Sequence, residues 1–385
     1  MENPSNRSAN FLYIAASDLV PAVQRDRDPK VNLLRYLSLA AGMALLYLLR
    51  VLLEPGPRVL YHEIEDSTRT QEGINMLRRI LVPLDGSRFA EAALPAAVRL
   101  SRRDAAQLDL VMVQEPPLPI ARTGGAPVRD PAFDQELHRQ ARAYLDVLLG
   151  RIEAADRART ATALLAGRTV ETLLEHIESR AVDLVVMTTH ARGGASRAWL
   201  GSVADGLVRR SPVPVLLLRP PEEEGVAPDE GPFTRVLLPL DGAPGGEQIL
   251  ERAFEVAGTK GVRYTLLRVL ASGESAFSEV LPRRGEAPST RAQRATVEAA
   301  LERTAEALRA GGLEARGQTV TDDVPARGIL GYAVENDIDL IAMTTRTRGG
   351  LERWLLGSVA DKVLRGSARP LLLLNPAAID ADAGK

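Results

Sequence analysis

Cysteine is absent from the 385 residues, which excludes a disulfide framework, a thiolate nucleophile and any cysteine-held zinc or iron–sulfur cluster. Histidine is scarce: His62, His138, His176 and His190 are scattered and form no HxxxH pair, so a metal site built on protein ligands is not expected. Neither sign of charge dominates. A formal net charge of −2 leaves no bulk basic field to gather nucleic acid or an acidic membrane surface. Familiar site signatures are missing too. There is no G-x4-G-K-[ST], whose lysine would reach β- and γ-phosphates, and no G-x-G-x-x-G after a first strand as in a dinucleotide fold. The one G-x-S-like string, GGASRAWLG, has no nearby histidine and acid in triad order.

What is present is the composition of a soluble globular protein, 45% apolar and 25% charged, and a length that calls for two or three domains. Residues 1–75 stand apart as an N-terminal extension. Between Arg35 and Arg50 lies YLSLAAGMALLYLL, uncharged and without a polar face. That length suits a buried helix better than a bilayer span, which needs about 20 residues. If Arg35 and Arg50 snorkel, residues 31–53 could just cross a membrane and anchor an otherwise cytoplasmic protein. A third reading starts synthesis at Met76, directly before LRRILVPLDGS. A secretory signal fits less well, since the apolar run begins some thirty residues in.

The rest of the chain repeats itself. RRILVPLDGS at Arg78 returns as TRVLLPLDGA at Thr234, VDLVVMTT at Val182 returns as IDLIAMTT at Ile338, and Gly201-Ser202 returns as Gly357-Ser358, each 156 positions on. A constant offset means tandem duplication of one fold. The expected domains are half 1 at residues 76–220 and half 2 at 233–376, with a Pro/Gly/acidic linker at 221–232 and a tail at 377–385.

Within half 1 the periodicity alternates. Strands are expected at Ile80–Leu84, Leu108–Val113, Thr160–Leu165, Asp183–Thr188 and Val213–Leu218. Helices are expected near Arg88–Ser101, Phe133–Ala154, Val170–Arg180 and Ser202–Arg210. Strands alternating with helices require a parallel sheet with right-handed crossovers. The fold class is therefore α/β, two tandem doubly wound five-stranded parallel-sheet domains of Rossmann-like type. In such a sheet a ligand sits outside the carboxyl ends of the strands, where the strand order reverses. Asp85 and Asp241 follow the first strand of each half. The stretches 188–201 and 344–357 follow the fourth.

The helix entered at Ser202 offers free N–H groups and a partial positive charge, an anion site without further side chains. Ser-Val-Ala-Asp at Ser202 and Ser358 also has capping-box spacing, which makes both serines expected N-caps. Asp183 and Asp339 begin their strands at the edge away from the crevice and read as turn residues. Trp199 and Trp354 read as packing anchors.

Together these motifs resemble the universal stress protein family over nearly all of both halves. In ATP-binding members of that family, G-x2-G-x9-G-[ST] follows the fourth strand, an aspartate follows the first, and a valine on the second meets adenine through its backbone. Carried over by position, the aspartates are Asp85 and Asp241 and the valines Val113 and Val269. The closing glycine and hydroxyl, with the residue after them, are Gly201-Ser202-Val203 and Gly357-Ser358-Val359. The first two glycines become Thr188 and Ala191 in half 1, Thr344 and Thr347 in half 2. A Cβ where glycine held positive φ costs about 1–2 kcal/mol or forces another loop path, and Ala191 intrudes less than Thr347. Arg192, Arg197, Arg348 and Arg353 read as solvated charge or as phosphate contacts.

The resemblance implies a non-catalytic stress-response module that binds ATP, with magnesium held through the phosphates and half 1 the better site, and that signals through protein partners. It also implies a pseudo-dimer in which Val213–Leu218 lies against Pro370–Leu374, with a further homodimer open. The rival readings are a nucleotide-free interaction scaffold and a slow ATPase or phosphoryl or adenylyl transferase.

Overall fold

Short leucine- and valine-rich runs alternate with amphipathic stretches, and the inner runs become strands buried on both faces, while the two outermost strands are only half-buried. The computed structural model describes residues 76–115, 131–189, 200–219, 231–242, 246, 248–271, 288–345 and 356–376. The chain divides between Asp66 and Ser67, and every described residue belongs to the second unit. The expected apolar helix at 31–53, most of the linker and the tail lie outside the described residues.

Half 1 runs β1 (Arg79–Leu84), α1 (Arg88–Glu91), α2 (Leu94–Asp104), β2 (Gln107–Gln114), α3 (Pro131–Arg151), α4 (Ala154–Arg157), β3 (Thr160–Ala166), α5 (Thr169–Arg180), β4 (Leu184–Thr188), α6 (Ser202–Arg210) and β5 (Val215–Leu218). Half 2 repeats the plan as β6 (Arg235–Pro239), α7 (Gln248–Ala257), β7 (Arg263–Leu270), α8 (Pro288–Ala310), β8 (Glu314–Thr321), α9 (Pro325–Glu335), β9 (Leu340–Thr344), α10 (Ser358–Gly366) and β10 (Leu371–Leu374).

These strands form one sheet in the order β3-β2-β1-β4-β5-β10-β9-β6-β7-β8. Pairs inside each half are parallel, and the halves meet where β10 runs antiparallel to β5, Leu371 opposite Leu217 and Leu373 opposite Val215. Both strands are buried along their whole length. One apolar layer joins the sheet to α2, α3, α7 and α8, the other to α5, α6, α9 and α10. The joint is braced reciprocally. Arg219, just past β5, donates to the Arg365 carbonyl at 2.9 Å, while Asn375, just past β10, donates to the carbonyl of Arg209. Each thereby caps the last helix of the other half, at positions 156 apart in both cases. Arg103 of α2 adds a crossing of its own, donating to the Val256 carbonyl at 2.7 Å near the end of α7.

Two local expectations change. The helix expected at Arg88–Ser101 is broken at Ala92 and Ala93, because Pro95 has no N–H to give the carbonyl four residues back and its ring crowds that carbonyl. Asp183 and Asp339 are strand clamps rather than turn residues. The Asp183 carboxylate accepts from the amides of Arg78 and Arg79, both at 2.8 Å, and Asp339 accepts from those of Thr234 and Arg235 at 2.9 and 3.0 Å. Each locks the start of one strand to the start of its neighbour, at the edge away from the crevice.

Candidate functional site at the strand ends

The strand order of half 1 reverses between β1 and β4, whose ladder is confined to Ile80 opposite Leu184 and Leu81 opposite Val185. Past that point the two chains leave on opposite faces, β1 toward α1 and β4 toward α6, and a crevice opens at the carboxyl edge.

On one side of it α6 begins. The Gly201 amide donates to the Thr189 carbonyl at 2.9 Å, and the Gly201 carbonyl accepts from Asp205 at 2.9 Å. Gly201 is therefore the N-cap, without a side-chain cap bond, and Ser202 is the first helical residue. This corrects the capping-box reading. Asp205 falls too far along to reach back and instead pairs with Arg209 at 2.8 Å. The correction leaves the first-turn amides of Ser202 and Val203 without intrahelical partners, and Ser202 exposed. Half 2 repeats the arrangement with Gly357, Ser358 and Val359. A Cβ on Gly357 would lie 2.8 Å from the Thr345 carbonyl oxygen, so close approach of two backbones is what demands glycine there.

On the other side Asp85 shapes the turn out of β1. Its carboxylate accepts from the Ser87 amide at 2.9 Å, Gly86 takes φ 81°, and the Ser87 hydroxyl accepts from the Ala90 amide at 3.2 Å to cap α1. Beyond it, β2 outruns β1. The β1–β2 ladder ends with Leu84 opposite Met112, whereas β2–β3 continues to Gln114 opposite Ala166. The Gln114 carbonyl faces β3, where it accepts from Gly167 at 3.2 Å. By alternation the Val113 carbonyl faces the other way, past the end of β1. Val269 stands likewise, since the Leu270 carbonyl accepts from Asp322 at 2.9 Å on the β8 side. Asp241, after β6, is half-buried like Asp85.

Thr188 and Thr344 are the last residues of β4 and β9, each 6% exposed, so the first expected glycine positions sit inside the sheet edge rather than on an open loop. Ala191 and Thr347 lie outside the described residues, as do the four loop arginines and both tryptophans. Two residues that sequence reasoning missed border the crevice. The Tyr144 hydroxyl, carried by α3, is buried beside Glu91. Burial, then the charge and hydrogen bonding of Glu91 and the charge of Asp85, raise its pKa. Arg268 of β7 donates to the Leu240 carbonyl at 3.0 Å beside Asp241. Both are visible in the sequence only as breaks in the repeat, Tyr144 against Ala300 and Met112 against Arg268. Among the described residues no group of three histidine, aspartate or glutamate side chains is placed to hold a metal ion.

Fold and crevice define a tandem pair of Rossmann-like α/β domains, with the start of α6 and the Asp85 turn at the same sheet edge. The profile of the universal stress protein family matches residues 76–219 and again 232–375, and the chain belongs to that family as a tandem two-domain member. It is 28% identical over 264 residues to a universal stress protein of Mycobacterium tuberculosis, covering 67% of this chain and 81% of the relative. A second protein so named from that organism is 25% identical over 302 residues, covering 77% of this chain and 99% of the relative. Among solved structures, a universal stress protein from Archaeoglobus fulgidus matches with a TM-score of 0.57 at 21% identity, covering 78% of this chain and 97% of that one, which supports the fold.

Proposed function

We propose that this protein is a non-catalytic nucleotide-binding module of the stress response, with ATP as the ligand of half 1 and protein partners as readers of the liganded state. The two halves act as a pseudo-dimer through their last strands. One observation carries the reading: the open first-turn amides at Ser202 and Val203 share a sheet edge with Asp85 and the outward Val113 carbonyl. A phosphate chain suits the amides, and an exocyclic amine suits the carbonyl. Thr188 and Val203 border the same edge. Magnesium would arrive bound to the phosphates, for which a protein cage is not needed. Asp85 commits one carboxylate oxygen to the Ser87 amide, which favours a shaping role over activation of water. The scaffold reading draws on one fact: Thr188 and Thr344 stand where the family's first glycine would be.

Calorimetric titration with ATP and magnesium tests the assignment through Ser202→Asp and Ser358→Asp. Both serines are exposed at the first helical position, where an added carboxylate favours the helix but repels phosphate. Loss of one charge-assisted hydrogen bond removes about 1.5–3 kcal/mol, so Ser202→Asp should weaken binding at least tenfold. Ser358→Asp should leave it intact. No binding to the wild type favours the scaffold, and loss in Ser358→Asp alone moves the ligand to half 2.

A further inference from the structure

The two halves differ at the base end of their crevices in two side chains, one of which brings a charge. In half 1 the β1–β2 ladder extends to Leu84 opposite Met112. In half 2 the corresponding ladder stops one residue sooner, at Pro239 opposite Leu267. Position 268, equivalent to Met112, is arginine, and its guanidinium donates to the Leu240 carbonyl at 3.0 Å. That carbonyl is the group that would otherwise carry the ladder one step further. The same guanidinium lies 3.2 Å from where a Cβ on Gly242 would stand, and Gly242 has φ 71°. Arg268 is thus laid across the turn Leu240-Asp241-Gly242, whose counterpart in half 1 is the Asp85 turn. Tyr144, whose hydroxyl lies near enough to Asp85 to feel its charge, is replaced in half 2 by the exposed Ala300.

We infer that Arg268 occupies the base end of the half 2 crevice and closes it to nucleotide, so that the protein binds one nucleotide per chain, in half 1. The inference rests on the nucleotide reading above. An adenine amine meeting the Val269 carbonyl would have to approach beside a fixed cation, and an amine is a donor that a guanidinium can only oppose. The planar, multiply donating head of arginine suits such a bar, because it is held on a main-chain acceptor and stays charged at every working pH.

Titration of the full chain with ATP and magnesium decides it through four proteins. The wild type should bind one equivalent, and Ser202→Asp should weaken that binding at least tenfold. In the double variant Ser202→Asp, Arg268→Met, which installs in half 2 the residue half 1 uses, the lost affinity should return at one equivalent. Met112→Arg should lower the affinity of half 1 at least tenfold. Circular dichroism confirms that each variant is folded; half 2 already carries arginine at this register and half 1 methionine, so neither exchange is foreign to the fold. Two equivalents in the wild type, undiminished affinity in Ser202→Asp, or no recovery in a folded double variant would overturn the inference while leaving nucleotide binding in place. No binding to the wild type would overturn both.

Discussion

Asp109 lies only 3% exposed at the start of β2, where its carboxylate meets Arg79 at 2.9 Å, His176 at 3.2 Å and Arg180 at 3.9 Å. In half 2 the same places hold Thr265, Arg235, Tyr332 and Asn336, and the charge nearest this spot is a half-buried cation. Arg316, standing in the sheet where half 1 has Ala161, donates to the Thr265 hydroxyl at 3.2 Å and to the Tyr332 hydroxyl at 3.0 Å. Burial alone would raise the Asp109 pKa, but the His176 hydrogen bond and the Arg79 charge outweigh it and hold the group below the usual carboxylate range. The sign of the linkage follows. A depressed folded pKa gives stability that is complete above the ordinary value of about 3.9 and is lost as the pH falls through the folded value. Asp109→Asn should therefore cost about 3 kcal/mol at neutral pH, as expected for a broken buried pair. Urea midpoints of variant and wild type should start to draw together as the pH falls below about 4 and meet only below the lowered folded pKa. A gap unchanged between pH 7 and pH 3 would mean that shape, not charge, holds this spot.

At the scale of elements, the strands were legible because apolar runs of four to six residues leave few alternatives. The expected Ile80–Leu84, Thr160–Leu165 and Asp183–Thr188 each fall within one residue per end of the observed strand. Helix starts were less legible. Capping-box spacing at Ser202 is a local signal, whereas the true cap is set by a bond from the Gly201 amide to Thr189, twelve residues back along the chain. The break at Ala92 was there to be read in Pro95. In the site, the Asp85 turn could be read directly, while Tyr144 and Arg268 became meaningful only once the register showed what they face. The contact at the start of α10 makes its own prediction. Gly357→Ala drives a Cβ to 2.8 Å from the Thr345 carbonyl and should destabilise by about 1–3 kcal/mol. Gly331→Ala, inside α9 with nothing within 4 Å of the new Cβ, should stabilise by about 0.5–1 kcal/mol. Thermal melts of the two variants should move in opposite directions, and equal shifts would show that close approach is not what selects glycine at 357.

The described residues form one sheet with an apolar layer on each face, and the family match begins at residue 76. A chain of residues 76–376 is accordingly proposed to fold alone and cooperatively, with one melting transition common to both halves. If that chain aggregates while the full protein stays soluble, the first 75 residues contribute to the core. Two transitions, one per half, would show that β5 and β10 are merely adjacent.

The β5–β10 seam has a further consequence, for how such a protein changes over generations. Partners that associate from separate copies must obey mass action, and any substitution appears on both at once. Here the two faces of the seam are covalently linked, so the pairing is intramolecular and indifferent to dilution. The faces are also encoded separately. One half can therefore change without the other, and the seam keeps even a half that has lost its ligand in place as support for its twin.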